Sequence, residues 1–353
     1  MPGTLSIPQV IDVSVRDGGF LIQHQFNAAK IVEICQAMAT TGLEWLELGH
    51  GMGVGSRMMG HSGHLDDYEL LEAAKEAAPS LKYSVFIQAQ EYSLPLLPGL
   101  IEFIELGRVG FKESEVQTFE KILKKLKKYD KQAATQLVNA DFFSPVQVAA
   151  FAKTAADLGS DILYLVDSSG GMTPEGVRLR IEAIRSACKL PIGFHGHNNL
   201  GMALPNTLAA WKAGATWLDG SLMAAGREAG NASMEMLIAK IQERGFLPQV
   251  NLEKLCEVAR HVFLPLYLRP PASSLIDILL AQNKITYPSP ETLNLFSNSL
   301  HIPLPALVTA LKKKSGKEFV VSEAAVKEVI EGFGYNYEEI VTSIRSTVKE
   351  GNE

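Results

Sequence analysis

The chain has 353 residues, 46% of them hydrophobic and 20% charged, with a formal net charge of −6. That balance suits a water-soluble globular protein with a large core and excludes the basic footprint of a nucleic-acid binder. No apolar run nears the roughly 18 residues that cross a bilayer. The start, MPGTLSIPQV, has no charged region leading into an apolar one, so no signal peptide is expected. Three widely spaced cysteines, Cys35, Cys188 and Cys256, make no disulfide framework, and the expected setting is a reducing cytoplasm.

In chain order, short β-rich runs are expected at Ile11–Val15, Trp45–Leu48, Tyr83–Ile87, Ile101–Leu106, Gln136–Val138, Ile162–Val166, Ile192–Phe194 and Thr216–Leu218. For the fourth, Gly107–Phe111 is an alternative. Helical patterns such as Ala28–Thr41, Pro145–Leu158 and Pro174–Ala187 lie between them. The basic run Lys121–Lys131 has helical spacing and reads as a solvated face. Strands alternating with helices imply parallel βαβ units. Eight of them imply an α/β fold, a closed (β/α)8 TIM barrel over residues 8–250. From 251 to 353 the alternation stops, and a C-terminal helical extension is expected, with helices at Asn251–Val262, Pro290–Leu300, Pro303–Lys314, Ser322–Gly332 and Tyr337–Lys349. The Pro-rich stretch Leu264–Ser274 reads as a linker.

Catalytic groups of such barrels stand at the C-terminal ends of the strands. There the first strand leads into Arg16-Asp17-Gly18-Gly19, the seventh into His195-Gly196-His197, and the eighth is followed by Gly226–Asn231. His195 and His197, two apart in extended backbone, project to one side. With Asp17 they offer two imidazoles and a carboxylate to one divalent metal, leaving coordination positions open. Asn231 is a further ligand or supports one. Arg16 is placed to stabilise an oxyanion, or it pairs with a carboxylate across the barrel. His-Gly-His alone more often marks two ordinary histidines; the combination with the other two strand ends gives it weight. The loop His50–His64, with three histidines and five glycines, reads as a mobile lid more readily than as a second metal site.

Six segments carry a resemblance: VSVRDGG (13–19), ELGHG (47–51), YLVDSSGGM (164–172), FHGHNNLGMALPNTLAA (194–210), LDGSL (218–222) and AGNASMEM (229–236). Together they resemble the 4-hydroxy-2-oxovalerate aldolase branch of the family that also contains hydroxymethylglutaryl-CoA lyase and isopropylmalate synthase. The resemblance implies a carbon–carbon lyase that cleaves or forms a 4-hydroxy-2-oxo acid through a metal-stabilised pyruvate enolate. It implies Asp17, His195 and His197 as metal ligands and Arg16 at the enolate, with Gly18 and Ser168 at the substrate. ITYPSP (285–290) is similar to a tyrosine-bearing tail segment of those aldolases, which implies that Tyr287 reaches the active site. Mn²⁺ is the expected metal, with Mg²⁺, Co²⁺ or Zn²⁺ as alternatives. The implied partners are a 2-oxo acid and an aldehyde, an acylating aldehyde dehydrogenase, and a second copy in a homodimer; neither nucleic acid nor membrane is expected.

One position departs from the pattern. Phe20 stands where those aldolases have a histidine that acts as base. Either His24, His50, Tyr287 or a metal-bound water takes that part, or the substrate needs no base, or the chemistry has been lost. A histidine in the place of His24 also occurs in the aldolases, where a structural role is the alternative. A Claisen-type condensation of an acyl-CoA with a 2-oxo acid and a non-catalytic scaffold are the rival readings. The synthase signatures are broken here at Gly19-Phe20 and at Arg227-Glu228.

Overall fold

The computed structural model describes residues 5–342 except 62, 268–271, 288–289 and 317–319. It divides into two compact units, residues 1–272 and 273–353.

In the first unit eight parallel strands close in sequential order: β1 (Gln9–Asp12), β2 (Trp45–Leu48), β3 (Lys82–Gln88), β4 (Leu106–Gly110), β5 (Gln132–Leu137), β6 (Ile162–Asp167), β7 (Ile192–Gly196) and β8 (Trp217–Gly220). β8 pairs with β1 from Gln9↔Trp217 to Asp12↔Gly220. This is a TIM barrel. Helices between the strands cover the outside, several with side-chain N-caps: Asp66 before Asp67–Ala77, Ser144 before Pro145–Asp157 and Thr173 before Pro174–Ala187.

Strand alternation sorts the side chains into two sets. Leu46, Leu48, Val85, Ile87, Leu163, Leu165, Phe194 and Leu218 face outward into the core shared with the helices. Ile11, Trp45, Leu106, Ala134, Ile162, Tyr164 and Trp217 form a separate cluster inside the barrel. Trp45 and Trp217, each the first residue of its strand, pack edge to face at 5.3 Å and fill the N-terminal end. Glu47, His195 and Asp219 share the inward parity nearer the C-terminal end, and all three are buried.

The fourth strand is corrected: it runs Leu106–Gly110 and not Ile101–Leu106. Leu100 ends the short helix Leu97–Leu100, and Ile101 and Ile104 follow it in a turn; all three are buried in the outer core. The true strand is disguised by Gly107, Arg108 and Gly110, residues poor in β-propensity. Gly107 packs closely there: a Cβ would lie 2.6 Å from a Leu126 methyl, which would have to shift.

The first unit runs past residue 250. Leu252–Val258 is helical and continues as a π-helical stretch, Ala259–Phe263, into a short turn, Leu264–Leu266; the remaining linker residues 268–271 lie outside the described set. In the second unit, helices Pro290–Ser299, Leu304–Ser315 and Glu323–Gly332 occupy the expected places. They are joined by one the sequence reading omits, Leu275–Asn283, capped by reciprocal Ser274 and Asp277 bonds. Ile276, Leu280, Leu293, Phe296, Leu307 and Val326 are part of this unit's own core. Of the helix expected at 337–349, residues 337–342 are helical and the rest lie outside the described set.

Candidate metal centre

The geometry starts where β1 ends. The backbone N–H groups of Asp17 and Gly18 both reach the Val13 carbonyl (2.9 and 3.3 Å), which curls Arg16–Gly18 over the barrel mouth. Asp17 is 2% exposed. Its Oδ1 accepts from Arg16 Nη1 at 2.7 Å, and its Oδ2 accepts from Asn231 Nδ2 at 2.8 Å and from the Arg227 backbone N–H at 3.4 Å. Burial pushes the carboxyl upward, but Arg16, His197, His195 and the Asn231 bond together hold it well below the usual carboxylate range. Arg16 is held from its other edge by Glu47, Nε to Oε2 at 2.7 Å.

β7 delivers His195, whose Nδ1 lies 2.9 Å from Asp219 Oδ2 on β8. The carboxylate fixes the proton on Nδ1 and leaves Nε2 as the lone-pair nitrogen. His197 follows just past the strand, bridged antiparallel to Asn231. Burial first, then Arg227, His195 and Arg16 against the opposing pull of Asp17, push its pKa down to about 3. It therefore stands as the neutral imidazole a metal requires.

Asp17, His195 and His197 each offer a ligand atom, and these atoms lie within 4.8 Å of one another. No other group of three or more histidine, cysteine or acidic side chains converges in this way among the described residues. Two buried polar atoms here, His197 Nδ1 and Asn231 Oδ1, have no hydrogen-bond partner. An orphaned amide oxygen beside an ionised carboxylate fits a bound cation. The loop after β8 is built to this packing: a Cβ on Gly226 would sit 2.5 Å from Asn231 Nδ2 and 2.8 Å from Asp17 Oδ2.

The other expected residues divide. Gly18 lies against Ala225, 3.0 Å from where its Cβ would be. Ser168 follows the end of β6; its Oγ accepts from the Asn139 N–H at 2.8 Å and its carbonyl from Arg227 Nη2 at 3.4 Å. His24 is outside the cluster. It stacks on His50 at 3.7 Å and meets the Phe20 ring edge at 4.9 Å. Its Nε2 accepts from the Gly51 N–H at 3.3 Å, so the proton of the neutral ring sits on Nδ1, which has no partner. Burial and then His50 lower its pKa to about 3. Tyr287 belongs to the second unit and is buried in that unit's core.

Glu47 and Asp219, which brace Arg16 and His195, are functional residues that the motifs alone do not single out. The signal was present: each is an acid inside an apolar strand at the inward-facing parity.

The family described as HMGL-like matches residues 109–262. An oxaloacetate decarboxylase from Mycobacterium tuberculosis is 34% identical over 278 residues, covering 78% of this chain and 82% of that protein. The chain belongs to the HMGL-like family. A 4-hydroxy-2-oxovalerate aldolase from Carboxydothermus hydrogenoformans is 33% identical over 74% of this chain and 79% of its own length. One from Thermus thermophilus is 32% identical over 74% and 77%. These HMGL-like relatives are carbon–carbon lyases by name, and this chain is an enzyme of that class. Among solved structures, the carboxyl transferase domain of Rhizobium etli pyruvate carboxylase superposes with a TM-score of 0.75 at 16% identity, over 92% of this chain and 60% of that one. That likeness speaks to the fold alone. Among the described residues of this HMGL-like chain no helix is long and apolar enough to cross a membrane.

Proposed function

We propose that this member of the HMGL-like family is a divalent-metal-dependent aldolase that cleaves the C3–C4 bond of a 4-hydroxy-2-oxo acid to pyruvate and an aldehyde. The carrying observation is the convergence of Asp17, His195 and His197 to within 4.8 Å beside the Arg16 guanidinium. A divalent cation held by these three residues, Mn²⁺ on this reading and with Asn231 as a further donor, would supply Lewis-acid polarisation of the 2-oxo group. Arg16 is oriented on two edges by Glu47 and Asp17, and its remaining donors serve the oxygen on which enolate charge develops. Asp219 keeps His195 in the ligating tautomer. Ser168 and Gly18 border the substrate.

Cleavage of the aldol also requires the C4 hydroxyl to give up its proton. Phe20 cannot take it. On this reading His24 or Tyr287 carries it, and His24 must release the Gly51 N–H before its Nε2 can act as a base. The three free cysteines support a reducing cytoplasm. A homodimer and an acylating aldehyde dehydrogenase that consumes the aldehyde are the partners this reading carries.

A second reading is favoured by Phe20 itself. Decarboxylation of a 2-oxo diacid such as oxaloacetate yields the same pyruvate enolate, and CO2 leaves without any hydroxyl proton to remove. The Mycobacterium tuberculosis relative carries that name. The test is to incubate the Mn²⁺-loaded protein separately with 4-hydroxy-2-oxovalerate and with oxaloacetate, following pyruvate, aldehyde and CO2. Pyruvate and aldehyde in equal amounts support the aldolase. Turnover of oxaloacetate alone selects the second reading, and turnover of neither contradicts both.

A further inference from the structure

Arg108 is 1% exposed, a guanidinium buried inside the barrel. It projects from β4, and in the closed strand order β8 stands half a turn away. Its Nη2 forms a short ion pair with Asp219 on β8, and its Nη1 lies 3.0 Å from Glu47 Oε1 on β2, an ion contact without hydrogen-bond alignment. The guanidinium carbon sits 4.2 Å from the centre of the Tyr164 ring on β6. In the amide orientation that satisfies both partners, the Gln136 carbonyl on β5 accepts from Nε at 2.6 Å and from Nη2 at 2.9 Å. Both carboxylates that Arg108 touches also brace the metal cluster: Glu47 holds Arg16, which holds Asp17, while Asp219 holds His195.

We infer that Arg108 is a positioning residue: it ties the Asp17 arm and the His195 arm of the candidate metal centre into one buried chain of alternating charge. The chain runs Asp17, Arg16, Glu47, Arg108, Asp219, His195, and its two ends are the candidate ligands. Three carboxylates and two guanidiniums leave one uncompensated negative charge in a dry interior. A divalent cation together with a monoanionic 2-oxo acid brings that total to zero. The charge of the chain thus matches metal and acid taken together. Only a planar fork contacts two carboxylates and an amide oxygen at once, so lysine is a poor substitute.

This rests on the reading of Asp17 and His195 as ligands. The experiment is Mn²⁺ binding by the full-length protein, with the visible spectrum of Co²⁺ in the same site as a report on ligand geometry. Arg108→Gln is expected to weaken Mn²⁺ by about 10- to 100-fold, the usual range for groups that orient metal ligands. Arg108→Lys keeps the charge and is the variant to use if Gln fails to fold; it is expected to weaken binding at least about threefold and to shift the Co²⁺ bands. Leu126→Ala, which opens the outer core beneath Gly107, lowers stability without touching the chain and is expected to leave both readouts unchanged. In a cycle with Asp219→Asn, the losses are expected to combine to less than their product. A folded Arg108 variant that binds Mn²⁺ within twofold of the parent with an unaltered Co²⁺ spectrum overturns the inference. If the parent itself binds no Mn²⁺, or Asp17→Ala binds as well as the parent, the ligand reading fails instead.

Discussion

Asp17 is a carboxylate in a nearly dry site, and its neighbours decide its charge. Arg16 and the Asn231 amide keep it ionised, so Asp17→Asn, which preserves the shape, is expected to weaken Mn²⁺ by at least about 100-fold, read by calorimetry. His195→Ala should likewise abolish turnover and weaken metal binding; a fully active, metal-replete variant would contradict its assignment. The histidines give a pH signature. His24 and His50 have pKa values lowered to about 3 and about 4 from the ordinary 6.5, each through burial first and then through a neighbouring imidazole, His50 for His24 and His61 for His50. At pH 5 both imidazoles are expected to remain neutral in nitrogen-detected NMR, whereas an unperturbed histidine would be mostly charged. As pH falls below about 6.5 the unfolded chain takes up protons that the folded chain refuses. Their contribution to stability is thus complete above about 6.5 and is lost as pH falls toward about 3. Charged imidazole signals from both rings at pH 5 would contradict this burial argument. At Phe20, a histidine restores a titratable group; Phe20→His is expected to raise the rate on a 4-hydroxy-2-oxo acid about 100-fold if a missing base limits the reaction. The convergence of Asp17, His195 and His197 was legible in the sequence because strand-end position and residue type together restrict what such side chains can do. Glu47 and Asp219 were not assigned, because parity reveals which face a side chain takes but not its partner across the barrel.

Two glycines separate tight packing from backbone constraint at the level of the elements. A Cβ on Gly107 would press on the Leu126 methyls, the movable end of a side chain. A Cβ on Gly170, at φ +63°, would lie 2.7 Å from the Asn199 backbone N and 2.8 Å from the His197 carbonyl. Gly107→Ala is therefore expected to cost about 1 kcal/mol, and Gly170→Ala about 3 kcal/mol, as a larger fall in Tm. The second change should also weaken Mn²⁺, because it displaces the backbone that carries His197. Equal Tm losses and equal metal affinities would show that the loop after β6 yields freely. The same physics explains why β4 was misplaced. Sequence periodicity rewards apolar, β-branched residues, and this strand spends its inward positions on Leu106, Arg108 and Gly110. The other strands were legible to within a few residues because their outward faces are mostly apolar. Leu275–Asn283 was obscured by its place next to a Pro-rich stretch, although the Ser274–Asp277 capping pair marks its start.

The whole molecule is two units with separate cores, and the metal cluster lies wholly within the first. A fragment spanning residues 1–272 is expected to bind Mn²⁺ like the full chain. Loss of turnover with metal binding intact would trace a catalytic contribution, Tyr287 foremost, to the second unit. The barrel, its membership of the HMGL-like family and the polarity of its mouth were readable from alternation and motif. The first unit ends at residue 272, within the Pro-rich stretch that reads as a linker, and Leu252–Val258, helical like the segments beyond that stretch, belongs to the first unit. The two proposed reactions, aldol cleavage and decarboxylation, share one step, formation of a pyruvate enolate. The most direct measurement is exchange of the pyruvate methyl protons in D2O, followed by proton NMR with and without Mn²⁺. The account predicts metal-dependent loss of the methyl signal that disappears in Asp17→Ala. A metal-bound protein that leaves the signal intact would contradict it.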